Sequence, residues 1–181
     1  MVILNDIRHI KDLGLDWIDI PKCGSSTIRK ALADNKMYHR VVQRDISNAT
    51  KIRGFAMLRE PIDRLQSLYC MWRYGRGPQY GADKSFDEWV KDWLGPSENW
   101  RLKTVFIPQT EFLRIDGVDL DVRLFAWNFK ELFDFLGINS YGHENKSSRS
   151  DIKISPETAD LIDKVYTEDF KLWREAKNQI A

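Results

Sequence analysis

The run Asp19-Ile20-Pro21-Lys22-Cys23-Gly24-Ser25-Ser26-Thr27-Ile28-Arg29 carries an apolar strand straight into a hydroxyl-rich turn that opens a helix. Such a turn grips anions. Backbone N–H groups at a helix start point at the ligand, the helix dipole favours negative charge, Gly24 permits close approach and Lys22 adds a full positive charge. A second run, Arg59-Glu60-Pro61-Ile62-Asp63-Arg64-Leu65-Gln66-Ser67-Leu68-Tyr69, closes another strand with an arginine and sets a serine two helical turns on. An arginine fork captures phosphate in a bidentate manner and a hydroxyl adds a further bond. At the carboxyl ends of parallel strands the two grips would hold one ligand carrying phosphate at two positions.

The elements that must position these residues read as alternating strands and helices. Trp17 to Ile20 is a strand and Ser26 to about Ala33 its helix; Tyr38 to Val42 is a weaker strand. Arg53 to Leu58 is the next strand, and Pro61 suits the first turn of a helix running from about Ile62 to Tyr74. Ile62, Leu65, Leu68, Tyr69 and Trp72 form its apolar stripe, while Asp63, Arg64 and Ser67 share another side. Gly75 to Gly81 is a loop, and Ser85 with Glu88 forms a capping box for a helix to Leu94. Phe106 to Gln109 and Phe112 to Ile115 read as short extended pieces, and Asp116-Gly117 as a turn. Val122 to Trp127 is a strand, followed by a helix from about Phe129 to Leu136 that Gly137 stops. A polar loop, Asn139 to Asp151, leads to one terminal helix capped by Ser155 and Pro156. The expected fold is α/β, a central parallel sheet flanked by helices, in a single domain over residues 1–181.

Composition bounds the function. A chain of 181 residues, 43% hydrophobic, has room for one well-buried core. With 28 Lys and Arg against 27 Asp and Glu, the net charge of +1 supplies no global field for nucleic acid or a membrane surface, so an anion site must be local. Met1 to Asp6 breaks into charge before an apolar region forms, so no signal peptide is expected, nor a transmembrane span. The two cysteines, Cys23 and Cys70, are too few for a disulfide framework, and a reducing cytoplasm is the expected location. Cys23 has no assigned His partner and reads as a loop residue, not a nucleophile. The scattered His and Cys show no metal-ligand spacing. Most of the tryptophans, Trp72, Trp89, Trp93, Trp100, Trp127 and Trp173 among them, read as core.

The loop is not a Walker A sequence, because Lys22 precedes Gly24, and no Walker B pattern is present to hold magnesium. With Pro-Lys-x-Gly-Ser-Ser-Thr at residues 21–27 and Arg-x-Pro-x-x-Arg-x-x-Ser-x-Tyr at residues 59–69, in that order, the chain resembles the sulfotransferases that use 3′-phosphoadenosine 5′-phosphosulfate (PAPS). It is closest to the branch that includes carbohydrate sulfotransferases. Pro108-Gln109, the segment Phe125 to Gly137 and the loop Asn145-Lys146-Ser147-Ser148 are similar to weaker family features. Glu60 stands where the family usually has Asp, Cys23 where it often has Thr or Ser, and the interval between the motifs is short.

The resemblance implies a P-loop-like sulfotransferase fold, PAPS as donor, 3′,5′-ADP as product, no metal, and a small-molecule or carbohydrate acceptor. It also implies roles. Lys22 would neutralise the leaving phosphate; Cys23, Gly24, Ser25, Ser26 and Thr27 would line the 5′-phosphosulfate; Arg59 and Ser67 would hold the 3′-phosphate; Lys146 and Ser147 would cover the donor. For the general base, His39 lies between the motifs and neutral imidazole accepts a proton near pH 7, while Glu60 stands beside the strand end. Arg29 and Arg64 fit ordinary exposed helix arginines as well as ligand contacts. Two other readings stay open: a P-loop nucleotide kinase or NTPase, and a noncatalytic PAPS/3′,5′-ADP-binding module.

Overall fold

The computed structural model describes residues 7–38, 41–43, 52–74, 83–96, 103–115, 118–139, 142 and 152–179. Five strands form one sheet in the order β3-β1-β2-β4-β7, with β1 Ile7–Ile10, β2 Leu15–Ile18, β3 Val41–Gln43, β4 Gly54–Leu58 and β7 Val122–Ala126. Strands β2, β4 and β7 are parallel neighbours, while β1 pairs antiparallel with both β2 and β3. The sheet is therefore mixed, where the sequence reading expected a parallel one. The cause lies in the turn over residues 11–14, which is far too short for a crossover, so β1 must run against β2. Strand β1 itself escapes the periodicity test: Ile7 and Ile10, three apart, are both fully buried, on opposite faces of a strand covered on both sides.

Helices flank the sheet: α1 Ser25–Asp34, α2 Pro61–Arg73, α3 Phe86–Leu94, α4 Gln109–Phe112, α5 Phe129–Phe135, α6 Pro156–Val165 and α7 Thr167–Asn178. Those expected at α1, α2, α3 and α5 form within a residue or two of their predicted bounds, and the Ser85–Glu88 capping box closes as expected. The terminal helix divides into α6 and α7. There Thr167 Oγ1 donates back to the Asp163 carbonyl at 2.6 Å, a bond that competes with the helix ladder, and buried Tyr166 turns its hydroxyl to the Phe106 carbonyl. Between Thr104 and Ile115, a 3₁₀ turn (Thr104–Phe106) and α4 replace most of the extended pieces; only Arg114–Ile115 (β5) pairs, with Val118–Asp119 (β6).

Two apolar clusters hold these layers. One lies along the sheet and includes Ile18, Leu32, Phe55 and Phe125; the other packs Leu68, Trp72, Trp89 and Phe106 against Ile162 of α6. Trp72 meets the rings of Trp89 and Phe106 edge-on at 5.4 Å, so these two tryptophans serve as core, as their spacing predicts. Trp100 lies outside the described residues, as do the loop Gly75 to Gly81 and the turn Asp116-Gly117. Among the described residues no helix is long and apolar enough to cross a membrane.

Candidate anion-binding site at the strand ends

Parallel pairing sets Ile18 of β2 opposite Ala56 of β4, so the chain leaves both strands at the same edge of the sheet. From β2 it enters the turn residues 21–24, in which Lys22 (φ 68°) and Gly24 (φ 89°) are both left-handed. Gly24 is the N-cap of α1, and no side chain caps that helix. By contrast Glu60, Ser85, Asn128 and Ser155 cap α2, α3, α5 and α6 through their side chains.

The requirement for glycine at position 24 has a second cause besides backbone conformation. A Cβ there would lie 2.6 Å from a ring carbon of Phe129 and 3.5 Å from the Trp127 ring. Gly24→Ala is therefore expected to cost about 1–3 kcal/mol, through left-handed strain and overpacking, and to displace the loop. Urea unfolding measures the loss; an unchanged midpoint would refute the close-packed loop.

Arg59 follows β4 and joins the two motifs. Its side chain is 4% exposed; Nη1 donates to the Lys22 carbonyl at 3.1 Å and Nε to Asp63 at 3.2 Å, and the guanidinium lies 4.1 Å from the centroid of the Trp127 ring. Trp127, at the end of β7, adopts φ 54°, a rare conformation for a bulky residue, and its N–H donates to the Leu58 carbonyl at 2.8 Å. The turns after β2, β4 and β7 thus meet at one place.

Arg64, for which the sequence leaves open an exposed helix side or a ligand contact, is buried. Its guanidinium donates to the carbonyls of Pro21 (3.0 Å), Ile107 (3.0 Å) and Val105 (3.1 Å), binding the loop to the 3₁₀ turn. Lys22 is half-buried, with Nζ 3.7 Å from Met71 Sδ on α2. Ser67, also half-buried, stands three residues after Arg64 and four before Met71, on the helix side that both loop contacts use.

The hydroxyl residues of the loop separate. Ser25 donates to the Asp19 carboxylate, which also receives Arg8 Nε at 3.0 Å and Arg29 Nη2. Arg29 is thereby committed to Asp19. Ser26 is exposed at the start of α1, and Thr27 is buried. Glu60 caps α2 by accepting from the Asp63 N–H at 2.7 Å, and burial raises its carboxyl pKa above the ordinary value. His39, Lys146 and Ser147 lie outside the described residues.

Cys23 is buried, and its thiol donates to Gln109 Oε1 at 3.0 Å. Burial pushes its pKa up to about 12, an effect that nearby Arg64 and Arg59 only partly offset. The group is a thiol at neutral pH, which agrees with its reading as a loop residue. Raised above its unfolded value, the pKa makes the folded state favour the proton, a stabilisation present below about pH 9 and lost towards pH 12. Accordingly, iodoacetamide at pH 8 is expected to spare Cys23 in the folded chain and to modify it in denaturant, as peptide mass mapping would show; rapid labelling of the folded chain would contradict the buried geometry.

The sequence presents Gln109 as the end of an extended piece and through the resemblance, reads Trp127 as core and not as part of a site, and offers nothing for Asp169. The signal for Gln109 was present: a polar amide among Phe106, Ile107, Phe112 and Leu113 needs buried partners. Among the described residues, no group of three or more His, Cys, Asp or Glu is placed to hold a metal ion. No family model, no curated protein and no solved structure matches this chain. What the site can do therefore rests on its geometry: a half-buried ammonium, a helix start with no side-chain cap and a guanidinium converge at one sheet edge, an arrangement suited to a ligand with more than one anionic group.

Proposed function

We propose that this chain transfers the sulfuryl group of PAPS to an acceptor hydroxyl, first among candidates a carbohydrate hydroxyl, and releases 3′,5′-ADP. The observation that carries the reading is the Arg59 Nη1 bond to the Lys22 carbonyl at 3.1 Å, which puts both anion motifs at the carboxyl ends of adjacent parallel strands. A single nucleotide with phosphate at its 5′ and 3′ positions matches two grips so joined. The finer fold assignment, P-loop-like and of the sulfotransferase kind, belongs to the same proposal.

In this reading the start of α1 and Lys22 receive the 5′-phosphosulfate. The acceptor oxygen attacks sulfur, the bond from sulfur to the bridging phosphate oxygen breaks, and that oxygen keeps the electron pair beside the Lys22 ammonium. Arg59 holds the 3′-phosphate with Ser67. Asp63, whose side chain is 40% exposed, now occupies Arg59 Nε, and a phosphate in its place would exchange one anion for another. The acceptor proton passes to a base, for which Glu60 and His39 are the candidates; the raised pKa of Glu60 strengthens it in that role. Ser25, held by Asp19, contributes its N–H in preference to its hydroxyl.

The test is a thermal-shift comparison of 3′,5′-ADP, 5′-AMP and ATP with magnesium. The proposal expects the largest shift from 3′,5′-ADP. A preference for ATP with magnesium would favour a kinase or NTPase and overturn it.

A further inference from the structure

Gln109, the first residue of α4, is 1% exposed and uses its side-chain amide on both sides of the site. Its Oε1 accepts the Arg59 N–H at 3.0 Å and the Cys23 thiol at 3.0 Å; its Nε2 donates to the Arg59 carbonyl at 2.8 Å. The amide therefore satisfies both backbone groups of Arg59, as a paired strand residue would, just past Leu58, where β4 ends its pairing with β7. Its orientation is determined. A flipped amide would set its NH₂ against the Arg59 N–H and its oxygen against both the Arg59 carbonyl and Asp169 Oδ2, which lies 3.4 Å from Nε2.

Asp169, also 1% exposed, fixes Gln109 from α7. Its Oδ2 accepts the Gln109 N–H at 2.6 Å, and its Oδ1 accepts Thr110 N–H and Oγ1–H, each at 3.0 Å. One buried amide thus ties Cys23 of the first anion motif to Arg59 of the second, and α7 holds it in place.

We infer that Gln109 is a positioning residue that sets the spacing of the two anion grips, and with it the preference for a nucleotide bearing both 3′- and 5′-phosphates over one bearing the 5′-phosphate alone. The inference rests on the two-phosphate reading above. Gln109 touches no ligand in this account; it acts through the backbone of Arg59 and the thiol of Cys23.

Two variants of the full chain test it. Gln109→Glu keeps an acceptor for Arg59 N–H, removes the donor to the Arg59 carbonyl and sets a carboxylate against Asp169. Asp169→Asn leaves the amide itself in place and weakens its anchor. Titration with 3′,5′-ADP and with 5′-AMP, well below each variant's unfolding midpoint, gives the ratio of dissociation constants, which a general loss of stability would not move. The expected result in either variant is a fall of about tenfold or more in the preference for 3′,5′-ADP, with 5′-AMP affinity changed far less. A wild-type preference that survives in both variants overturns this inference alone. A wild-type chain with no preference for 3′,5′-ADP overturns the two-phosphate reading and this inference with it.

Discussion

Replacing Arg64 by alanine is expected to destabilise the chain by about 3–5 kcal/mol, the largest loss expected from any single substitution considered, because the change removes a buried donor shared by three backbone carbonyls. The guanidinium reaches the carbonyls of Pro21, Val105 and Ile107, three backbone positions that no shorter side chain on α2 could join. The loss is greatest at the Ile107 carbonyl, whose bond is buried, and it adds to the cavity that truncation creates. Arg64→Lys should lose less but remain destabilising, since an ammonium on a single stem cannot reproduce a planar fork directed at three carbonyls. Urea unfolding followed by circular dichroism measures both. A loss below about 1 kcal/mol for the alanine variant would mean that the carbonyls find other donors and that the loop does not depend on α2.

The second large effect is expected on the sulfuryl transfer proposed above. Lys22→Ala is expected to lower the rate of 3′,5′-ADP release from PAPS about 10²–10³-fold, the range found when a preorganised donor to developing negative charge is removed. The affinity for 3′,5′-ADP should fall much less, because the charge on the leaving oxygen develops mainly in the transition state. Since Lys22 adopts φ 68°, alanine would also carry backbone strain; Lys22→Asn, a neutral residue that tolerates this conformation, separates charge from strain. Equal and negligible effects of both variants on rate and affinity would remove Lys22 from the mechanism.

The parts of this architecture legible in the sequence are those written in local pattern. The β2–α1 and β4–α2 units carry apolar runs, a glycine turn and an N1 proline within a few residues of one another, and each forms where its signals fall. The Ser85–Glu88 box is local and closes as written. The connections that hold the site are long-range: Arg64 reaches a carbonyl 43 residues away, Gln109 pairs with Arg59 across 50 residues and with Asp169 across 60. Periodicity cannot see such partners, so Arg64 reads as an exposed arginine or a ligand contact and the stretch around Gln109 as extended chain. Ser25 shows the same limit at short range, because its hydroxyl donates to Asp19 six residues earlier, a partner that the turn pattern does not reveal. The mixed sheet follows from β1, whose two buried isoleucines enclose Arg8 and His9 and leave no alternation to detect.

Residues 21–27 and Arg59 are proposed to hold two phosphates of one nucleotide. A crystal structure of the chain with 3′,5′-ADP tests it most directly. The 5′-phosphate is expected at the start of α1, within hydrogen-bond distance of Lys22 and the backbone N–H groups of residues 25–27, and the 3′-phosphate on Arg59 and Ser67 with Asp63 displaced. A nucleotide bound elsewhere, or one whose 3′-phosphate points away from Arg59, would contradict it.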